Sequence, residues 1–291
     1  MRGRALLLAV LCVAGGSLAL GCASNECSGN SVCGDGNGVA FSASPSRDPG
    51  GPPLTFDVRQ TDPWDACEGG TGRVYPTAPS MDEIAAHVDS HDVRTTAEYA
   101  AHRKRLAAFD RRFHAVTADL TTIELTLQGK SDHAVTVQDV TVDVLDVRPT
   151  PRTGLAVQRI GACGDSNVTS FLANLDRKVP ELTFHEGRNS EGKMRVRGFP
   201  VQVSGSDPEV LTITAFTTAD IHTFGLDVRW TSDGRSGTTK VREADGSPFS
   251  VAAAGSAPQY LFEQQSGTFS PKTFTIDPDD PLGDPVPLKA P

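Results

Sequence analysis

The sequence predicts a mainly β chain: a two-sheet antiparallel β-sandwich, of which an immunoglobulin-like arrangement is one form, preceded by one or two short helices and a disordered N-terminal tether. Three observations carry this expectation. From Thr121 onward, apolar and polar residues alternate with the period of a half-buried strand. Asp233-Gly234 and Asp245-Gly246 punctuate that region with the dipeptide that tight hairpin turns favour, because both central positions take positive φ. No strand-helix-strand rhythm appears, so a parallel doubly wound sheet is not expected. Eight or so strands with one apolar face each bury those faces economically against one another. A partly closed barrel is the alternative.

Residues 1–21 read as an export segment. Arg2 and Arg4 give a cationic start, and Ala5 to Leu20 is apolar apart from Gly15, Gly16 and Ser17. That run is short and glycine-interrupted for a span of about 20 residues, and it follows the charged, apolar, small-residue order of a secretory signal. Leu18-Ala19-Leu20-Gly21-Cys22 resembles the lipobox of bacterial lipoproteins. In that family the cysteine thiol takes a diacylglyceryl group and becomes the mature N-terminus. The resemblance implies lipidation at Cys22 and a place outside the cytoplasm, on the outer face of the cytoplasmic membrane. The chain departs from the usual pattern at Ala19, where Leu is commoner. Ordinary secretion, with Cys22 as a disulfide partner, is the alternative. Each buried methylene contributes about 0.8 kcal/mol, so a stable anchor needs more than one acyl chain.

The formal charge is −9 over 291 residues, and it becomes more negative once Arg2 and Arg4 leave with the signal. An acidic exported chain has no electrostatic reason to seek nucleic acid. Of six cysteines, Cys12 lies in the signal and Cys22 is the lipid candidate. The even remainder in an exported chain favours disulfides. Three pairings exist; Cys27–Cys33 as a local loop and Cys67–Cys163 as a long-range staple is the favoured one. Such a staple contributes about 4–5 kcal/mol in the chain-entropy model. The Cys27/Cys33 spacing is loose for zinc, and no paired histidines follow. No metal or other cofactor is expected.

Residues 22–53 form the tether: Gly, Ser, Asn and Pro dominate, and the segment lacks the apolar surface to order itself. As a flexible coil it spans roughly 30 Å. Asp35-Gly36-Asn37-Gly38 within it lacks the remaining ligands of a calcium loop. Residues 54–115 read as irregular and helical, with a first strand at Leu54 to Val58. Ser80-Met81-Asp82-Glu83 and Thr95-Thr96-Ala97-Glu98 are capping boxes that start two helices. Ile84, Val88 and His91 share a face of the first. Tyr99, Leu106, Phe109 and Phe113 form an apolar stripe on the second. Its other sides carry Arg103, Lys104, Arg105, Arg111 and Arg112, a solvated face or one that leans toward anionic lipid headgroups.

Residues 116–276 are the sandwich. Ile123, Leu125 and Leu127 face one way. Val135 and Val137 begin the next strand, and Val140, Val142 and Val144 continue it in the opposite phase, which predicts a β-bulge near Gln138–Asp139. Leu211, Ile213 and Ala215 alternate again, as do Phe224, Leu226, Val228 and Trp230. Residues 222–253 read as a three-strand meander, with Pro248 at a strand start. Short strands are expected near Ser170–Leu175, Arg195–Val203, Tyr260–Glu263 and Thr268–Ile276. Residues 277–291 read as an extended proline-rich tail.

Residues 120–250 resemble a group of exported or membrane-anchored actinomycete proteins with no assigned activity. The shared residues are Glu124-Leu-Thr-Leu-Gln-Gly-Lys130, Asp207-Pro-Glu-Val-Leu211, Trp230-Thr-Ser-Asp-Gly-Arg235 running into Gly237-Thr238, and Gly246-Ser-Pro-Phe249. The resemblance implies β architecture and a surface location.

No residue is expected to be catalytic. Gly164-Asp165-Ser166 looks like the start of a serine esterase block, but a nucleophilic Ser166 needs a base within reach, and no Asp-x-x-His follows. Asp220-Ile221-His222 has the wrong spacing. His87 and His91 are neighbours on a helix face, but Val88 stands where the zincin signature needs Glu. Asn167-Val168-Thr169 matches a glycosylation acceptor of little weight in a bacterial-looking chain. The resulting expectation is a non-catalytic binding or accessory module, tied to the membrane by lipid and meeting an envelope protein partner. A secreted serine hydrolase using Ser166 and a structural component of an envelope assembly are the alternatives.

Overall fold

The computed structural model describes residues 51–62, 64, 71–88, 95–159, 169–185, 198–255, 257–263, 268–272, 274–279, 281–282 and 286–287. Residues 52–291 belong to one compact unit. The described part begins with strands β1 (Leu54–Gln60) and β2 (Arg73–Tyr75), followed by helices α1 (Met81–Val88) and α2 (Thr96–Arg112). Strands β3 (Val116–Ala118), β4 (Leu120–Gly129), β5 (Val135–Pro149), β6 (Leu155–Arg159), β7 (Thr169–Asn174) and β8 (Leu182–His185) come next. Then follow β9 (Val201–Val203), β10 (Glu209–Phe216), β11 (Asp220–Ser232), β12 (Arg235–Val241) and β13 (Phe249–Ala252). β14 (Gln259–Glu263), β15 (Thr268–Pro271), β16 (Phe274–Thr275) and β17 (Val286–Pro287) complete the order.

Two sheets pack as a sandwich. The smaller runs β1-β4-β10-β7-β8. The larger runs β15-β14-β6-β2-β3-β13-β11-β5-β9, with β12 also beside β11. The alternation that predicts the sandwich builds its core. Ile123, Leu125 and Leu127 of β4, Leu211 and Ile213 of β10, and Phe224, Leu226 and Val228 of β11 join one buried cluster. Registers place Leu211 opposite Leu125 and Val140 opposite Val228, so like faces meet across the ladders. Burying each such side chain contributes about 1.5–3 kcal/mol.

The other half of the larger sheet carries the helices. Tyr75, Leu155 and Val157 pack there against Ile84, Val88, Leu106 and Phe109. Its opposite face holds a cluster of small residues, among them Ala118, Ala156, Ala252 and Ala254. Both capping boxes form: Ser80 Oγ accepts from the Glu83 amide at 3.2 Å, and Thr95 Oγ1 accepts from the Glu98 amide at 3.2 Å. The α2 stripe is shifted from the expected one. Tyr99 is 40 % exposed, and His102 and Asp110 are buried beside Leu106 and Phe109. A seven-residue repeat drifts around a straight helix, and Asp110 has polar partners that make its burial tolerable.

Two local expectations are met closely. Arg229 faces Asp139 while Trp230 faces Val137, so Gln138 is the extra residue of a bulge. Asp233 and Gly234 have φ of 49° and 73° and close the β11–β12 hairpin. A second bulge, at Leu145, lies between the Thr223–Asp146 and Phe224–Val144 pairs.

Four details differ from expectation. The sheets are mixed, since β7 runs parallel to β10, β3 to β13, and β6 to β14. Parallel neighbours need long crossovers, and here each pair is joined through other strands. The meander is absent as well: β12 and β13 lie end to end along one edge of β11, pairing with Leu226–Ser232 and Ile221–Phe224. β11 has 13 residues, long enough to hold both. Asp245-Gly246 therefore closes a small excursion between two segments of one edge, held by Glu243 N–H to Ser247 O at 2.9 Å. Within 54–115, where only the first strand at Leu54 is expected, a further strand, β2, lies inside the larger sheet. Finally, the tail is part of a two-stranded ladder, β16 with β17.

Candidate functional site

β5 is paired unequally on its two edges. β11 pairs with one of its edges along most of its length, whereas β9 covers only Val135–Val137 on the other. Among the described residues, no strand pairs with that second edge beyond Val137. Leu145, the extra residue of the second bulge, and Val147 are each 49 % exposed. Unpaired backbone groups with apolar side chains beside them are what an added strand recognises.

The adjoining face of β5, β11 and β12 is a lattice of ion pairs. Arg229 meets Asp139 at 2.8 Å, Lys240 meets Asp143 at 2.8 Å and Asp227 at 3.2 Å, and Arg242 meets Asp143 at 3.2 Å. The hydrogen bond from Lys240, with Arg242 adding to it, holds the Asp143 carboxyl below its ordinary value. Asp143 and Asp227 in turn raise the Lys240 ammonium. These groups are solvated, so the lattice sets charge pattern and register more than stability. Gly225 makes room for it, because a Cβ there would collide with the Arg242 guanidinium.

Three polar clusters tie elements together, two of them buried and the third, around Asp176, at the surface. At the first, Asp119 stands where the chain crosses from β3 in the larger sheet to β4 in the smaller, with φ of 59°. Its N–H donates to Ala252 O at 2.8 Å, and its carbonyl accepts from Thr217 N at 2.9 Å. Its carboxylate meets Lys272 Nζ at 3.0 Å and accepts from Gln158 Nε2. Ala254 N–H lies 3.4 Å from its other oxygen. The Lys272 and Asp119 side chains are 2 % and 5 % exposed.

At the second, Asp110 accepts from Arg73 Nε at 2.8 Å, Tyr75 OH at 3.0 Å and Trp64 Nε1 at 3.3 Å. Burial first, and Asp110 second, push the Tyr75 phenol far above its ordinary value. At the third, Asp176 accepts from Thr217 Oγ1 at 2.6 Å and from the Thr218 amide and hydroxyl at 2.8 Å. Buried His222 places Nε2 3.4 Å from Asp176 Oδ1, an electrostatic contact longer and less aligned than a formed hydrogen bond. Burial alone would raise the Asp176 carboxyl. The His222 imidazole and the two threonines outweigh it and hold the group well below the usual range.

The sequence-predicted site residues Cys22, Cys27, Cys33, Cys67 and Cys163 lie outside the described residues, as do Ser166 and His91. His87 contacts Glu83 O at 2.8 Å through Nδ1 and stacks on Phe109 with ring centroids 4.2 Å apart. Among the described residues no group of three or more His, Cys, Asp and Glu side chains is arranged to hold a metal ion. Two of the α2 arginines have protein partners: Arg103 meets Asp62 at 2.8 Å, and Arg112 lies over the Phe113 ring. His222 is buried against Asp176 across the sandwich.

Asp110, Asp119, Gln158 and Lys272 carry no motif, and sequence reasoning missed them. The one signal for Asp119 is its place at the change from helical to strand period. No helix among the described residues is long and apolar enough to cross a membrane. The chain matches no protein-family model and no curated protein sequence.

Proposed function

We propose that this chain is a non-catalytic binding or accessory module, held on the outer face of the cytoplasmic membrane by lipid on Cys22 and meeting an envelope protein through its sandwich. The observation that carries the reading is Leu18-Ala19-Leu20-Gly21-Cys22, set after an apolar export run and before a Gly- and Ser-rich tether. The β5 edge supports it. An extended segment of a partner would meet an edge that no described strand covers beyond Val137, with Leu145 and Val147 to pack on. The likeness to anchored actinomycete proteins points the same way.

Replacing Cys22 with Ala is the test. The wild-type chain is expected in the membrane fraction and the C22A chain in the medium. Membrane retention of C22A contradicts the anchor. In intact cells, crosslinking from β5 is expected to capture an envelope protein and to lose it when Leu145 and Val147 are both replaced by Asp. Unchanged capture by that folded variant removes the β5 edge from the account.

A further inference from the structure

We propose that Lys272 and Asp119 condense into an intramolecular isopeptide bond, fixing the C-terminal strands covalently to the crossover between the two sheets. Lys272 Nζ lies 3.0 Å from Asp119 Oδ2, which is one bond from the carbon it would attack. Both side chains are almost completely buried. Asp119 directly follows Ala118 of the small apolar cluster that also holds Ala156, Ala252 and Ala254. Asp119 is held by its backbone hydrogen bonds to Ala252 and Thr217, and Lys272 by its N–H to Gln259 O at 2.9 Å. Two groups fixed in this way react as if at very high concentration.

The step needs no co-reactant. A proton passes from the ammonium to the carboxylate, leaving an amine and a carboxylic acid. The Nζ lone pair forms the new bond to Cγ. The oxygens of the tetrahedral adduct accept hydrogen bonds from the Gln158 amide and the Ala254 N–H, the two donors already directed at the carboxylate. The C–OH bond breaks, its electron pair leaves on oxygen, and the surplus proton on nitrogen goes with it. One water departs, and a neutral amide remains with no change of oxidation state. The condensation also removes an ion pair from a site where two charges are costly.

The test uses the full-length folded protein, which is then denatured, reduced and digested with trypsin. The expected product is a branched peptide joining Phe113–Lys130 to Glu243–Lys289, uncut after Lys272 and lighter by one water than its two linear parts. An ion pair does not survive denaturation, so only a covalent bond gives this species. Lys272→Arg and Asp119→Ala are each expected to give linear peptides alone. If either variant fails to fold, the wild-type digest still decides. Full cleavage after Lys272, with Phe113–Lys130 at its unmodified mass, overturns the proposal.

Discussion

Asp110 binds the C-terminal turn of α2 to β2 through the Arg73 guanidinium, the Tyr75 hydroxyl and the Trp64 indole. Replacing it with Ala removes the carboxylate that these three donors share, while Arg73 keeps its hydrogen bond to Thr117 Oγ1 at 2.9 Å. The expected loss is about 3–5 kcal/mol in urea unfolding, while Tyr75→Phe is expected to cost about 0.5–1.5 kcal/mol. An Asp110→Ala variant as stable as wild type would show that the cluster is not a clamp. Asp176 gives a pH signature instead. Its carboxyl is lowered in the folded state, so its stabilisation is present above the ordinary aspartate value of about 4 and is lost as pH falls below it. Melting temperature measured against pH is expected to fall more gently on the acid side for Asp176→Asn than for wild type. Coincident acid limbs would contradict the assignment. Neither residue announces itself in the sequence, because each owes its role to partners contributed by other elements.

At the scale of the elements, what was legible was local. The phase slip in β5 located the bulge at Gln138, and Asp233-Gly234 located a hairpin, because both depend on neighbours in the chain. Capping boxes marked both helix starts for the same reason. The sharing of one β11 edge by β12 and β13, and the parallel pairing of β7 with β10, depend on distant segments and left no local trace. Gly237 belongs to this scale. A Cβ there would lie 2.5 Å from Trp230 Cζ2, and the indole is fixed by Nε1–H donating to Thr239 Oγ1 at 3.0 Å. Gly237→Ala is expected to destabilise by about 1–3 kcal/mol, the usual cost of overpacking. Denaturant unfolding of that variant checks it, and an unchanged midpoint would mean that the Trp230 ring moves freely.

The unit from residue 52 onward is, in its described residues, a sandwich whose larger sheet serves two layers, the smaller sheet on one half and the helices on the other. Sandwich class followed from period and turns. The site did not follow, since Asp119 and Lys272 are 153 positions apart and meet only through the tertiary fold. The functional reading rests on the N-terminal residues, and the direct measurement is the mass of the mature N-terminal peptide recovered from cells. The expected chain begins at Cys22 and carries acyl groups on it. A chain in the cytosol that still begins at Met1, with its thiols reduced, would contradict it.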